Sequence, residues 1–323
     1  MACYNETTMN SATKHLAEDI ENYFFYHLDD LREGKRIHWL ARHYLWFRDP
    51  FSRELLEHDR RHFMKPTSTG TRNAYKRLYN ASMKHRGSQK KDRDHVRVMK
   101  RAEYPELSAI NKLLFRSLFA TTIFKQDTRS CLRLAIPKEH IRALRDRLLS
   151  NPSDIAVLST PAVNFLSLTP WAYGLKRIPI SFYGPLVANI HTANVYEQNR
   201  LLYLITHLII GESLFYAKRI TRDTTSLKRL LGIADTAIIT HSSSIRLDIK
   251  IETLLCAKLL GKRMRSRAPT LREARNSQFD KQHPYVIDIQ NAYKGTSLTS
   301  PSASEHRNIL LVMLEGPDPK HLV

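Results

Sequence analysis

The run KHRGSQKKDRDHVRVMKR, residues 84–101, places Lys and Arg side chains at intervals of one to four residues. That spacing suits the neutralisation of successive phosphates, with counterion release supplying a salt-sensitive affinity that needs no base contact. The candidate contact residues are Lys84, Arg86, Lys90, Lys91, Arg93, Arg97, Lys100 and Arg101. Tyr75, Tyr79 and Tyr104 lie nearby in sequence as candidate stacking partners for unpaired bases. A second basic cluster, Lys262, Arg263 and Arg265 with Arg267, closes the stretch 244–267. The competing reading of any such run is a solvated connector whose tyrosines pack inward.

Four residues elsewhere have the types that acid–base chemistry uses. His207 stands in the most apolar run of the chain, LLYLITHLIIG at 201–211, and Glu212 follows five residues later, about 140° further around a helix. A bend at Gly211 would let the imidazole and the carboxylate converge as an acid and base pair. Asp248 and Glu252 are four apart, on one helical face, where paired carboxylates share a proton or bind a divalent cation. Ordinary structural roles compete here as well. His207 would then be a satisfied core residue, Asp248 would support a first helical turn, and Glu252 would pair with Lys250 or Arg246. Neither HTANVYE, with His191 and Glu197, nor HLIIGE reproduces the HExxH spacing, so no metal and no cofactor is expected. Walker, GxGxxG, GxSxG and kinase patterns are absent, which excludes the motif-bearing nucleotide enzymes, Rossmann dehydrogenases and α/β-hydrolases.

The elements that must position these groups read as helices. Only 10 Gly punctuate 323 residues, 42% of the chain is hydrophobic, and apolar positions recur at three- and four-residue spacing. The expected fold is all-α, about ten helices packed as antiparallel hairpins. Helices are expected at 11–33, 36–47, 51–64, 72–86, 94–102 and, opened by Pro105 and Pro137 at first-turn positions, near 105–124 and 137–150. Residues 153–187 interleave prolines, glycines and aromatics without a helical period and predict an irregular loop. After Pro185 a long helix is expected over 188–220, with further helices near 224–231, 246–264, 269–277, 284–293 and 304–315. An amino-terminal helical region over 1–102, ending in the basic segment, and a larger carboxyl-terminal domain over 103–323 are the expected divisions.

Charge is the strongest global signal, at 51 Lys plus Arg against 31 Asp plus Glu, net +20. Residues 1–35 carry 3 basic and 7 acidic side chains, whereas residues 76–102 carry 10 basic and 2 acidic. About 40% of the excess therefore sits in that one segment, where it creates a local field. Three scattered cysteines, Cys3, Cys131 and Cys256, with no CxxC companion, point to a reducing cytoplasm. The first 25 residues lack an export signal's basic and apolar regions, and the longest apolar run is too short to span a bilayer, so no membrane is expected as a partner.

The stretches HWLARH, THLIIGESLFYAKRI at 206–220 and RLDIKIETLLCAKLLG at 246–261 resemble an uncharacterised family of bacterial all-helical proteins associated with natural-product gene clusters. In that family a helix-start carboxylate, at the position of Asp248, precedes a Glu-Leu-Leu run, at the positions of Glu252, Leu254 and Leu255. The resemblance covers about 40 residues and implies a helical fold and no reaction. The leading functional expectation is a basic cytoplasmic protein that binds nucleic acid, as RNA or single strands, or another polyanion. The alternative is a helical enzyme or accessory factor of peptide or natural-product biosynthesis, with His207, Glu212, Asp248 and Glu252 around an internal pocket. Exposure of Trp39, Trp46 or Trp171 in an apolar patch would instead signal a protein partner or a homo-oligomer.

Overall fold

The computed structural model describes residues 6–84, 94–190, 192–280, 282–287, 300–319 and 321–322. Among these residues the fold is all-α, with no strand and a single isolated bridge between Gln278 and Val286. The chain forms two compact units, residues 1–53 with 219–323 and residues 54–218. The position 102/103 falls inside the second of these.

The first unit holds α1 (Glu6–Tyr26), α2 (Glu33–Phe47), α14 (Thr224–Thr240), α15 (Leu247–Leu259), α16 (Arg267–Asn276) and α17 (Pro301–Glu315). At its centre is α17, packed against α1, α2 and α15. Its sequence explains the position: Ser300 caps the first turn by accepting from the Ala303 N–H, Pro301 opens the helix, and Ile309 to Leu314 are all buried. A helix that is apolar all round must sit inside. Trp39 and Trp46 on α2 are fully buried, with the Trp39 ring stacked on Phe24 at 4.3 Å. Neither tryptophan therefore contributes to an exposed apolar patch.

The second unit is built from α4 (Arg60–Phe63), α5 (Ser68–Lys84), α6 (His95–Glu103), α7 (Pro105–Thr122), α8 (Arg129–Ala135), α9 (Lys138–Ser150), α10 (Pro152–Leu158), α11 (Thr160–Tyr173), α12 (Tyr183–Ala188) and α13 (Val195–Glu212). The remaining helix, α3 (Pro50–His58), begins in the first unit and ends in the second. The described residues thus form seventeen α-helices rather than about ten. The excess comes from the division of the expected helix 51–64 into α3 and α4, and from α8, α10, α11 and α12, which apolar periodicity does not register.

The irregular loop expected over 153–187 is for the most part helix. Pro152 and Pro161 occupy first-turn positions of α10 and α11, where the missing N–H is an orphan anyway. Pro170 lies within α11 and removes the hydrogen bond that the Leu166 carbonyl would accept. The buried surface of α11, packed on α7 and α13, outweighs that loss. Ser159, between α10 and α11, and residues 174–179, before a 3-10 turn at Ile180–Phe182, lack helical structure. Close approach of α11 and α13 depends on Gly211, where a Cβ would stand 2.5 Å from Ser167 Oγ. The glycine does not bend α13, which runs through it to Glu212. No single helix among the described residues is long and apolar enough to cross a membrane.

Candidate functional site

A cleft of about 390 Å³ opens in the second unit between α4, α5 and α7. Ala74, Arg77, Leu78 and Ala81 line it from α5, at the i, i+3, i+4 and i+7 spacing that shares one helical face. Arg61, His62 and Phe63 come from α4, Met64 and Lys65 from the segment after it, and Arg116 from α7. Five basic side chains thus line the cleft over an apolar floor, and among the described residues no carboxylate lines it.

Local hydrogen bonds fix the segment that carries Lys65. The Lys65 N–H donates to Thr71 Oγ1 at 2.9 Å, and the same hydroxyl donates back to the Lys65 carbonyl at 3.1 Å. The Tyr75 hydroxyl donates to the Phe63 carbonyl at 3.1 Å and lies 3.2 Å from Thr128 Oγ1. Burial pushes the Tyr75 phenol up to about 12, with Thr128 and Arg116 pulling the other way. Gly70 lets the Lys65 side chain pass, since a Cβ there would lie 3.2 Å from Lys65 Cβ. His62 Nε2 is 3.4 Å from the Arg116 guanidinium. Among the described residues no ion pair engages Arg61, Lys65 or Arg77. Like charges gathered in one concave, partly apolar site repel one another and focus a positive potential on it. An anion relieves that repulsion.

The residues expected to bind phosphates fare differently. Lys84 ends α5, and Arg86, Lys90, Lys91 and Arg93 lie outside the described residues, as do His191 and Cys3. The expected basic helix at 94–102 is present as α6, capped by Asp94, whose carboxylate accepts from the Arg97 N–H and from Arg200 Nε at 2.7 Å. Lys100 is tied to Glu103 at 2.8 Å and Asp154 at 3.0 Å. Arg97 lies close enough to Asp94 to lower its pKa, and Arg101 also has a partner. The stacking tyrosines are engaged internally. Tyr75 and Tyr104 are buried, Tyr104 donates to Asp154 at 2.6 Å, and the Tyr79 hydroxyl is 3.0 Å from His140 Nε2. In the first unit, Lys262 donates to the Lys228 carbonyl, Arg265 lies 3.5 Å from Asp235, and Arg263 is exposed.

The four candidate acid–base residues divide between the units. His207 Nδ1 is 2.8 Å from Asn164 Oδ1. Glu212 instead lines a second cleft of about 230 Å³ with Trp171, Arg177, Tyr183 and Lys218. Arg177 Nε donates to Glu212 at 2.9 Å, and a second contact of 2.6 Å completes the pair. The imidazole that was to partner Glu212 does not line this cleft. Beyond Glu212 the chain reverses through Leu214, Phe215 and Tyr216, all in the left-handed region with φ of 47°, 55° and 69°. Each costs about 1–2 kcal/mol, offset by burial of the Phe215 and Tyr216 rings and by Ser213 Oγ accepting from the Tyr216 N–H.

Asp248 and Glu252 belong to the first unit, in α15. Asp248 pairs with Arg246, and Glu252 Oε2 is 3.5 Å from His306 Nε2. Glu252 thus pairs inward, where Lys250 or Arg246 was the expected surface partner; Lys250 instead binds Glu273 at 2.5 Å. Next to it, the fully buried Glu305 receives Lys35 at 3.2 Å and His38 Nδ1 at 2.6 Å. Burial raises the Glu305 pKa, but His38, Lys35 and His306 outweigh it and hold the carboxyl well below its ordinary range. Burial lowers His38 to about 4, in keeping with Arg42 Nε donating to its Nε2 at 2.6 Å. Lys35, His38 and His306 thus each lie against a carboxylate of this cluster. Among the described residues no group of three or more His, Cys, Asp or Glu side chains is placed to hold a metal ion.

Arg61, Lys65, Arg77 and Arg116 were not singled out by spacing, because the cleft collects them from across 56 residues. The run RRHFMK at 60–65 was the available signal. Comparison with protein-family models, curated proteins and solved structures finds no match to the chain.

Proposed function

We propose that this protein binds nucleic acid, as RNA or single strands, and that the basic cleft of the second unit is the contact that confers affinity. The observation that supports this reading is the gathering of Arg61, His62, Lys65, Arg77 and Arg116 around an apolar floor without a carboxylate among the described residues. A concave site suits a flexible strand better than a duplex, whose major groove is entered by a protruding helix or ribbon. The apolar floor accommodates sugar and base, while the Arg forks take phosphate oxygens in pairs. The run 84–101 follows α5 directly in sequence, Lys84 coming three residues after the cleft residue Ala81. It would extend the electrostatic track along the strand.

The test is filter retention of single-stranded RNA by the full chain and by the double variant Arg61→Glu with Arg77→Glu. Both residues are surface groups without an ion pair among the described residues, so the variant should fold. At least a ten-fold loss of affinity is expected. Retention equal to the unaltered chain would sink the proposal.

A further inference from the structure

We infer that the occupant of the basic cleft is the phosphorylated end of a single strand, a terminal phosphate monoester with its nucleoside, rather than an internal stretch of chain. This rests on the nucleic-acid reading above and narrows it.

Size is the first consideration. A cleft of about 390 Å³ falls within the range of small-ligand pockets, ~300–1,000 Å³, and near its lower end. It has room for one nucleotide, not for a run of several.

Charge is the second. Arg61, Lys65 and Arg77 bring three permanent positive charges without an ion pair to that one space, and no carboxylate lines it among the described residues. An internal nucleotide returns a single negative charge. A terminal monoester returns about −1.5 to −2 at neutral pH and offers three strong acceptor oxygens. Lining cations supplied by α4, by α5 and by the segment after α4 would take such a head from several sides, whereas an extended backbone would call for a line of cations.

The lining divides in the way a nucleotide does. Phe63, Met64, Ala74, Leu78 and Ala81 supply apolar surface for sugar and base, and the basic groups supply the phosphate contacts. Tyr75 is buried, with its hydroxyl bound to the Phe63 carbonyl, so the floor gains its shape from that anchor. A free mononucleotide carries the same terminal group. A strand is favoured because the sequence from the end of α5 onward adds five Lys and Arg side chains within residues 84–93, which a strand, unlike a lone nucleotide, is long enough to engage.

The experiment is fluorescence anisotropy of the full chain, at physiological salt, with a short oligouridylate in two series. One carries a 3′ dye and either a 5′-phosphate or a 5′-hydroxyl; the other carries a 5′ dye and either a 3′-phosphate or a 3′-hydroxyl. One phosphorylated end is expected to bind about ten-fold more tightly than its hydroxyl partner. Lys65→Ala, and separately Arg61→Ala with Arg77→Ala, should erase that advantage while leaving residual affinity for the hydroxyl strand. Equal affinity for phosphate and hydroxyl ends in both series overturns the inference and leaves the wider nucleic-acid reading standing. No binding of any oligonucleotide even at low salt overturns both. Displacement by uridine monophosphate as effective as by the phosphorylated strand would show a mononucleotide site and overturn the choice of a strand.

Discussion

The basic cleft of the second unit and the Glu305 cluster of the first are both crowded with charge, and they treat it in opposite ways. Around Glu305 each basic side chain meets a partner: Lys35 and the neutral His38 imidazole bind its carboxylate, Arg42 donates to His38, and His306 lies against Glu252. Around the cleft, Arg61, Lys65 and Arg77 meet no carboxylate among the described residues. A closed set of buried charges holds helices together and leaves nothing for a ligand to neutralise. An open set adds little to the fold and stores the repulsion that a bound anion relieves. Charge density alone therefore does not locate function; its compensation does.

The largest effect that separates the two regions should come from Glu305→Gln. Removing a fully buried carboxylate that holds Lys35 and His38 should cost roughly 3 kcal/mol, read from the urea midpoint of the full chain. By contrast, Arg77→Ala should stay within about 0.5 kcal/mol. A cleft variant that destabilised as much as Glu305→Gln would erase the distinction.

Acid titration sharpens the comparison further. His38 falls to about 4 in the folded chain, below an unfolded value of about 6.5, so the unfolded state binds the extra proton. Its contribution is present above about 6.5 and is lost as pH falls towards 4. Glu305, held below the ordinary carboxylate value, continues the loss at still lower pH. Unfolding followed against pH should show this decline, and His38→Gln should flatten its upper part.

Smaller effects belong to the packing of the second unit. Gly211→Ala drives a Cβ to 2.5 Å from Ser167 Oγ and should cost about 1–3 kcal/mol, partly recovered by Ser167→Gly. Tyr75→Phe removes the hydrogen bond to the Phe63 carbonyl and should cost about 1 kcal/mol. It should also weaken nucleic-acid binding, because that bond shapes the cleft. A Tyr75→Phe chain with lowered stability and unaltered binding would separate the cleft from its anchor.

Helix was legible in the sequence because apolar spacing reports on burial, and α2, α7 and α9 fall close to their expected ranges. The stretch 153–187 was not, since proline is a breaker only where its missing N–H matters. At Pro152 and Pro161 it does not, and at Pro170 tertiary packing prevails. The site was harder to read. Local density of charge singled out Lys100, which ion pairs absorb, and passed over Arg116, a single arginine in the largely buried helix α7. Compensation is a property of three-dimensional neighbours, and spacing along one helix cannot report it. Glu212 lines a cleft without His207, Asp248 or Glu252, and its partner there is Arg177.

The most direct test is the slope of log affinity against log salt for single-stranded RNA, comparing the full chain with its Arg61→Ala, Lys65→Ala, Arg77→Ala triple variant. A slope shallower by about 0.7, for the one phosphate the cleft holds, with an unchanged urea midpoint, is the expected result. An unchanged slope and affinity would contradict the claim that these uncompensated cations are the binding site.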